Sequence, residues 1–463
     1  MKFLISLIVL LSPGIKWLDS NFSYYDKLQK EIHSYAELGF LETKSSAAIA
    51  AHLEENGFKI EWGVAGIPTA FVATYGEGSP VIGLLGEYDA LKGMSQDTVP
   101  YKKPVVEGGD GHGCGHNLLG TATAASAVAI SKWLAEGHKG TVKYFGCPAE
   151  EGGGGKYYMT RAGVFEGCDA VFDWHPSQLN AVPLSPWLSN MRINFNFHGV
   201  SSHAAASPWS GRSALDAVES FDYMMNLMRE HVKPDIRIHY IISNGGQAPN
   251  VVPDEAQVIY YIRGPKAADV KAVFDRAVKA AEGAALGTGT TMDYEIINAC
   301  YERLINRRLA EVFVRGLQKA GGTLLDEREA EFAKAVQRAS GAAEDLSCFS
   351  DVPSEVEAPQ PGGASSDVGN VSQMVPLANL RICTSPLGAG GAHSWQQTAI
   401  GGSTIGTKCL MTVAKTFYWS ALELYTNPKE VEAIRAEFEQ VRGKNPVFTP
   451  LMDRQPPLDY SKK

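Results

Sequence analysis

The sequence predicts an α/β protein in which a mixed sheet is covered by helices and a smaller ferredoxin-like α+β unit is inserted. Three observations carry this. The 463 residues are more than one hydrophobic core usually encloses, so at least two domains are expected. Apolar strand-like runs alternate with helical periodicity both early and late in the chain. Between them, the order strand, helix, strand, strand, helix, strand is that of a split βαβ unit. The expected divisions are 1–20 as an N-terminal or signal segment, 21–186 and 303–463 as the two parts of the larger domain, and 187–302 as the insertion.

Taken in order, Lys2 precedes an apolar run over 3–11, with Ser12 and Gly14 as small residues beyond it. That pattern fits a short signal-peptide core, and equally a buried N-terminal helix or strand. Pro13 and the lack of an A-x-A site leave cytoplasm and periplasm both open, and the run is too short to span a bilayer. Apolar residues at three- and four-residue spacing predict helix over 24–58, with Asn56-Gly57 as a stop. Strands follow over 69–75 and 80–85, the second apolar on both faces as a central strand should be. A long buried helix is expected over 117–137, then strands over 141–146 and 169–174. In the insertion, strands are expected over 191–197, 237–243, 257–263 and 290–297. Its helices are expected over 213–228 and 266–282, the latter stopped by Gly283. The remainder reads as helices over 307–320 and 327–338, a glycine-rich loop over 362–372, a strand over 378–384, a loop with His393, a helix over 404–424, and one charged helix after Asn427.

Composition narrows the function classes. The chain is 44% hydrophobic and 20% charged, an ordinary globular mix, and its net charge of −9 argues against a nucleic-acid binder. The seven cysteines are scattered and form no CxxC, which excludes a zinc-finger framework and a disulfide scaffold. Walker A, GxGxxG, HExxH and GxSxG motifs are all missing, so a nucleotide-binding reading has nothing to rest on.

The chemistry-bearing residues fall in islands. Gly113-Cys114-Gly115-His116 sets a thiol and an imidazole two residues apart among glycines. The pair reads as structural, as metal-ligating, or as a nucleophile with its base; no local cysteine-protease signature supports the last. Thiolate with imidazole suits zinc or another borderline transition metal. Glu150-Glu151 follows an apolar strand, and such a pair can divide labour, one carboxylate on a metal and the other as general base. Asp173-Trp174-His175 ends another strand. With Glu87 and Asp89 following the 80–85 strand, three predicted strands finish at carboxylates or a histidine, the edge where open α/β sheets place their sites.

Together with Glu37-Leu38-Gly39-Phe40, Asn117-Leu118-Leu119-Gly120, Ala248-Pro249-Asn250-Val251-Val252-Pro253-Asp254 and Ser366-Asp367-Val368-Gly369, these islands resemble the M20 metallopeptidase and amidohydrolase family. The likeness is to its cysteine-containing, aminoacylase-like subgroup, nearest the aminobenzoyl-glutamate hydrolase branch, and runs from about Asp26 to Asn427. The resemblance implies two divalent ions, Zn2+ or Mn2+, held by Cys114, His116, Glu151, His175 and His393. It implies Glu150 as general base, His203 with Asn250 stabilising the oxyanion, Arg263 gripping a substrate carboxylate, and Asp89 orienting a ligand. The substrate it implies is a small amide bearing a free carboxylate: an N-acyl or aminobenzoyl amino acid, or a dipeptide. The inserted unit is expected to act as lid and dimerisation surface, with His203 serving the same or the partner chain, and a second, related chain is a further expected partner. Glu87 stands where other members of the family carry histidine, and Asn117 where many carry aspartate. The alternative is a non-catalytic, ligand-binding relative; both glutamates being present weighs against it.

Overall fold

Val81–Glu87 (β3) is buried along almost its whole length because Val-Ile-Gly-Leu-Leu offers no polar face. The computed structural model describes residues 12–360, 362–443 and 448–462, and places β3 inside a six-stranded sheet. The other strands are Lys59–Trp62 (β1), Phe71–Glu77 (β2), Gly140–Cys147 (β4), Ala170–Ser177 (β5) and, numbered last in the chain, Leu377–Cys383 (β10). The order is β1-β2-β4-β3-β5-β10, antiparallel at the β1–β2–β4 end and parallel from β4 through β10. Consecutive residues leave the pleat to opposite sides. Leu84 and Phe172 join the apolar cluster under the long helices, whereas their neighbours Leu85 and Val171 join a second cluster on the other face.

The first cluster is closed by His116–Leu134 and Thr404–Thr426. The first of these is buried on nearly every side; its many alanines and glycine let the helix lie close to β3. The second cluster continues without a break into the inserted residues, where Phe195, Phe221, Tyr260 and Phe274 pack. There a separate antiparallel sheet is formed by Ser189–His198 (β6), Arg237–Asn244 (β7), Glu255–Gly264 (β8) and Thr291–Cys300 (β9), ordered β7-β8-β6-β9. Ala214–Met228 and Ala267–Thr288 pack together against it. Burial alternates along β6 and β8, so their pattern was readable as half-buried strand.

Several expectations need correction. The helix expected to stop at Gly283 runs to Thr288 and ends at Gly289, whose φ of 71° suits a left-handed cap. Gly283 is exposed with open space around it, so it only weakens the helix. Residues 24–58 are two helices, Phe22–Tyr35 and Thr43–Glu55, separated by a turn that carries Phe40 at φ 64°. β1 is mostly exposed and lacks an apolar face to betray it. Gly155–Arg161 is a helix directly behind the Glu150-Glu151 glycines, and Val368–Ser372 is a short helix inside the segment expected as loop. His175 lies within β5, not beyond it. The apolar run 3–11 lies outside the described residues; Pro13–Ser20 is a helix, and Ser12 and Gly14 are buried, with Gly14 packed on Tyr418.

Candidate metal centre

The C-terminal edge of the parallel strands gathers the donors. β3 delivers Glu87 and, two residues on, Asp89; β4 leads into Glu150-Glu151; β5 carries Asp173 and His175. The Cys114 loop ends at Gly115, whose φ of 81° turns the chain into the His116–Leu134 helix. His393 comes from the far end of the chain on a loop pinned by its own N–H, which donates to Gly113 O at 2.7 Å. Its φ of 62° is a left-handed conformation, as is the 58° of Ala149 just before the glutamate pair. Non-glycine residues held this way cost about 1–3 kcal/mol each and collect at functional sites.

Three donor groupings arise among the described residues: Cys114, His116 and His175; Cys114, Glu151 and His393; and Glu87, His116 and Glu150. Within each, one ligand atom per residue lies inside 4.8 Å of the others, and Cys114 is shared by the first two. Cys114 Sγ is 3.2 Å from His175 Nε2, and His393 Nε2 is 3.2 Å from Glu151 Oε1. His116 Nδ1 donates to Asp89 Oδ1 at 2.8 Å, which leaves Nε2 as the lone-pair nitrogen. That Nε2 is fully buried without a hydrogen-bond partner, although Glu87 Oε2 is 3.1 Å away out of alignment. Glu151 Oε1 is likewise buried and unpartnered. Ligand atoms about 3.3 Å apart are what a tetrahedral ion with ~2.0 Å bonds requires, and orphaned lone pairs at this spacing fit a cation.

The ionisation pattern divides the two glutamates. Burial, then the neighbouring Glu87 and Glu151, hold Glu150 well above the usual carboxylate range. Burial is the largest influence on Glu151 and raises it, but the His393 hydrogen bond and the His116 and His393 charges together outweigh it and keep that group below its ordinary value. Burial raises the Cys114 thiol and lowers the His175 ring. Asp89 is opposed by burial and held down by the His116 ring, and its Oδ2 accepts the Glu151 N–H at 2.9 Å.

Two supporting groups escaped the sequence reading. Lys156 is wholly buried, its Nζ donating to Asp367 Oδ1 at 2.7 Å and lying 2.7 Å from Glu87 Oε1. Its only sequence signal was a cation immediately after a glycine run that is not a phosphate loop. Glu42, also fully buried, accepts the Ala149 N–H at 2.8 Å and the Thr69 hydroxyl at 3.0 Å, fixing the start of the glutamate loop. His112, beside the cysteine, bonds Ile32 O instead of facing the donors.

A cavity of about 630 Å³ opens over this edge, lined by Glu87, Cys114, Glu150, Glu151, His175 and His393, with Trp187 and Leu179 among its apolar walls. His203, Asn250 and Arg263 do not line it. His203 and Asn250 are exposed neighbours on the inserted unit, where His203 pairs with Val251 and its Nδ1 accepts N–H groups of its own turn. Arg263 lies over the Tyr261 ring at 4.7 Å.

A sheet edge carrying thiol, imidazole and carboxylate donors over an open cleft is an arrangement that could hold metal ions. The chain belongs to peptidase family M20/M25/M40, whose family model matches residues 83–452. It is 38% identical over 456 residues to one of the subunits of the p-aminobenzoyl-glutamate hydrolase of Escherichia coli, covering 92% of this chain and 94% of that one. It is 31% identical to the Xaa-Arg dipeptidase of Mus musculus, with 89% of this chain and 88% of the relative covered. A dinuclear metal-binding peptidase of the M20 family from Bacillus subtilis shares the fold at a TM-score of 0.54, with 20% identity over 86% of this chain and 98% of that one. The chain is thus an M20-type hydrolase acting on amide bonds.

Proposed function

We propose that the protein is a metal-dependent amidohydrolase that cleaves the amide of an aminobenzoyl or N-acyl amino acid, such as aminobenzoyl-glutamate, or of a dipeptide. The observation that carries this is the meeting at one cleft of donor groupings that share Cys114, with the buried His116 Nε2 and Glu151 Oε1 left unpartnered, beside two adjacent carboxylates that shift in opposite directions. Neighbouring groups pushed apart in this way take different roles. Two divalent ions, zinc or manganese, would be held by Cys114, His116, Glu151, His175 and His393; the thiolate favours the softer of these metals. When bound, such ions supply an acidified water and polarise the amide carbonyl.

The chain's own residues do the rest. Glu150, the carboxylate with raised proton affinity, takes the proton of the attacking water and passes it to the departing amine. Asp89 fixes the tautomer and direction of the His116 ring. Glu42 and Ala149 hold the loop from which Glu150 projects. His203 and Asn250 stand outside the cavity of their own chain, which supports their acting as oxyanion donors for a partner's cleft in a homodimer. Exposed Ile241 and Ile242 on the edge strand β7 suit such pairing. The Escherichia coli relative is by name one subunit of its hydrolase, which supports a second, related chain as a further partner.

The test follows hydrolysis of p-aminobenzoyl-glutamate and a dipeptide panel with and without chelator. Glu150→Gln is expected to lower kcat by ~100-fold or more while the metal content stays at the wild-type level. Activity that survives both chelation and the substitution overturns the proposal.

A further inference from the structure

Among the described residues, the cavity wall contains one arginine, Arg381, and none of them pairs with it. Arg381 lies on β10 as the direct parallel partner of His175, so the two side chains leave the sheet on the same face. One row deeper in the sheet, the equivalent pair is Asn379 and Asp173, and there the strands satisfy each other: Asn379 Nδ2 donates to Asp173 Oδ2 at 2.7 Å. The row above has no such pairing. Among the described residues the Arg381 guanidinium makes no hydrogen bond and no ion pair. It lines the same cavity as His175, Glu150 and His393.

A second guanidinium lies behind the same wall. Arg303 is buried and stacks on Trp187 at 4.6 Å, with its Nη2 spent on the carbonyls of Pro183 and Ser185 and its Nε left without a partner. Burial, in the first place, lowers it to about 10; Asp173 opposes that shift and the Arg381 charge adds to it, so the two cations feel each other. The cavity wall also holds Ser365, whose buried Oγ has no partner. A free guanidinium, an orphaned hydroxyl and the Trp187 ring in one wall are donors and an apolar surface awaiting an acceptor.

We infer that Arg381 is the residue that binds the substrate's free carboxylate, with Ser365 as a second donor, and so sets the preference for acidic amide substrates. This rests on the amidohydrolase reading and makes it narrower. A guanidinium holds a carboxylate through two parallel N–H bonds, whereas a carboxamide offers one acceptor and no charge. Placed beside His175, a carboxylate held by Arg381 orients the adjoining amide toward the donor cluster. Arg381 would hold the carboxylate from a strand of the larger sheet, whereas Arg263, for which that role was expected, lies over the Tyr261 ring of the second sheet and does not line this cavity.

The experiment compares wild type, Arg381→Met and Arg381→Lys on p-aminobenzoyl-glutamate and on its α- and γ-carboxamide analogues. Arg381→Met is expected to raise KM for the diacid by about 10- to 100-fold with kcat changed by less than ~3-fold. One carboxamide should already show that raised KM with wild type and be no worse with Arg381→Met, because the interaction is already gone. Arg381→Lys should recover part of the loss, as a charge without the fork. An unchanged KM, or an equal rise for the diacid and both carboxamides, overturns the inference. Should wild type hydrolyse neither these nor the dipeptide panel, the functional proposal fails. The carboxylate site is then read separately, by equilibrium dialysis of p-aminobenzoyl-glutamate against Glu150→Gln protein with and without Arg381→Met. A tenfold loss on removing the arginine supports the inference, and equal binding overturns it.

Discussion

Lys156 is the buried cation on which the acidic end of the cleft depends. Its ammonium lies between Glu87 and Asp367, and its own N–H donates to Asp367 Oδ2 at 2.9 Å. Lys156→Met leaves two carboxylates in a dry site without their partner, a change that typically costs about 3–5 kcal/mol. Urea denaturation at neutral pH should show that loss, together with a lower metal content, since Glu87 would no longer be held 3.1 Å from His116 Nε2. At this scale the sequence was readable where a residue type carries its own chemistry. Cys114, His116 and Glu150 announce themselves by kind and by neighbours. Arg381 and Lys156 did not, because a lysine after glycines and an arginine in an apolar strand become informative only when their missing or present partners are known. Those partners, His175 and Asp367, lie far away in sequence.

At the scale of elements, the predicted strands are recovered to within about two residues at each end where burial is one-sided or complete, as in β3, β6 and β8. The misses share a cause: β1 has no buried face, and Gly155–Arg161 is too short and glycine-led to show a helical period. Gly283 misled because a glycine stops a helix only when the backbone turns left-handed there, and the turn is made at Gly289. The two helices of residues 24–58 are tied by a buried histidine. His52 Nε2 bonds the Tyr25 hydroxyl at 3.1 Å and its ring stacks on Tyr24. Burial chiefly, with the Lys132 charge, lowers His52 to about 4. Its unfolded value is about 6.5, so between those limits the unfolded chain takes up a proton that the native ring refuses. Stability from this site is therefore complete above about pH 6.5 and declines as pH falls toward 4. Denaturation midpoints of wild type should drop across that window, and His52→Gln should remove this part of the slope.

For the whole molecule, the second sheet shares a continuous apolar cluster with one face of the first, so the inserted unit is firmly seated on the larger one. In the proposed homodimer its exposed His203 and Asn250 act on the other copy. Mixing His203→Ala with Glu150→Gln chains under conditions that exchange subunits should restore about a quarter of wild-type activity, because half of the dimers would be mixed and each would carry one complete cleft. No recovery would place His203 in its own chain's reaction, or in none. Among the described residues no helix is long and apolar enough to cross a membrane.

The placement of β10 at the sheet edge beside β5 has a consequence for how the protein is made. A chain emerging from the ribosome presents Cys114, the glutamate pair and His175 early, then the entire second sheet, and only afterwards β10 and His393. Until β10 pairs with β5, nothing holds His393 beside Cys114 and Glu151, and Arg381 has no cavity to face. β5 and β10 lie about two hundred residues apart in sequence, so the strand pairing that completes this edge of the sheet is a long-range one and carries a large loop-closure cost.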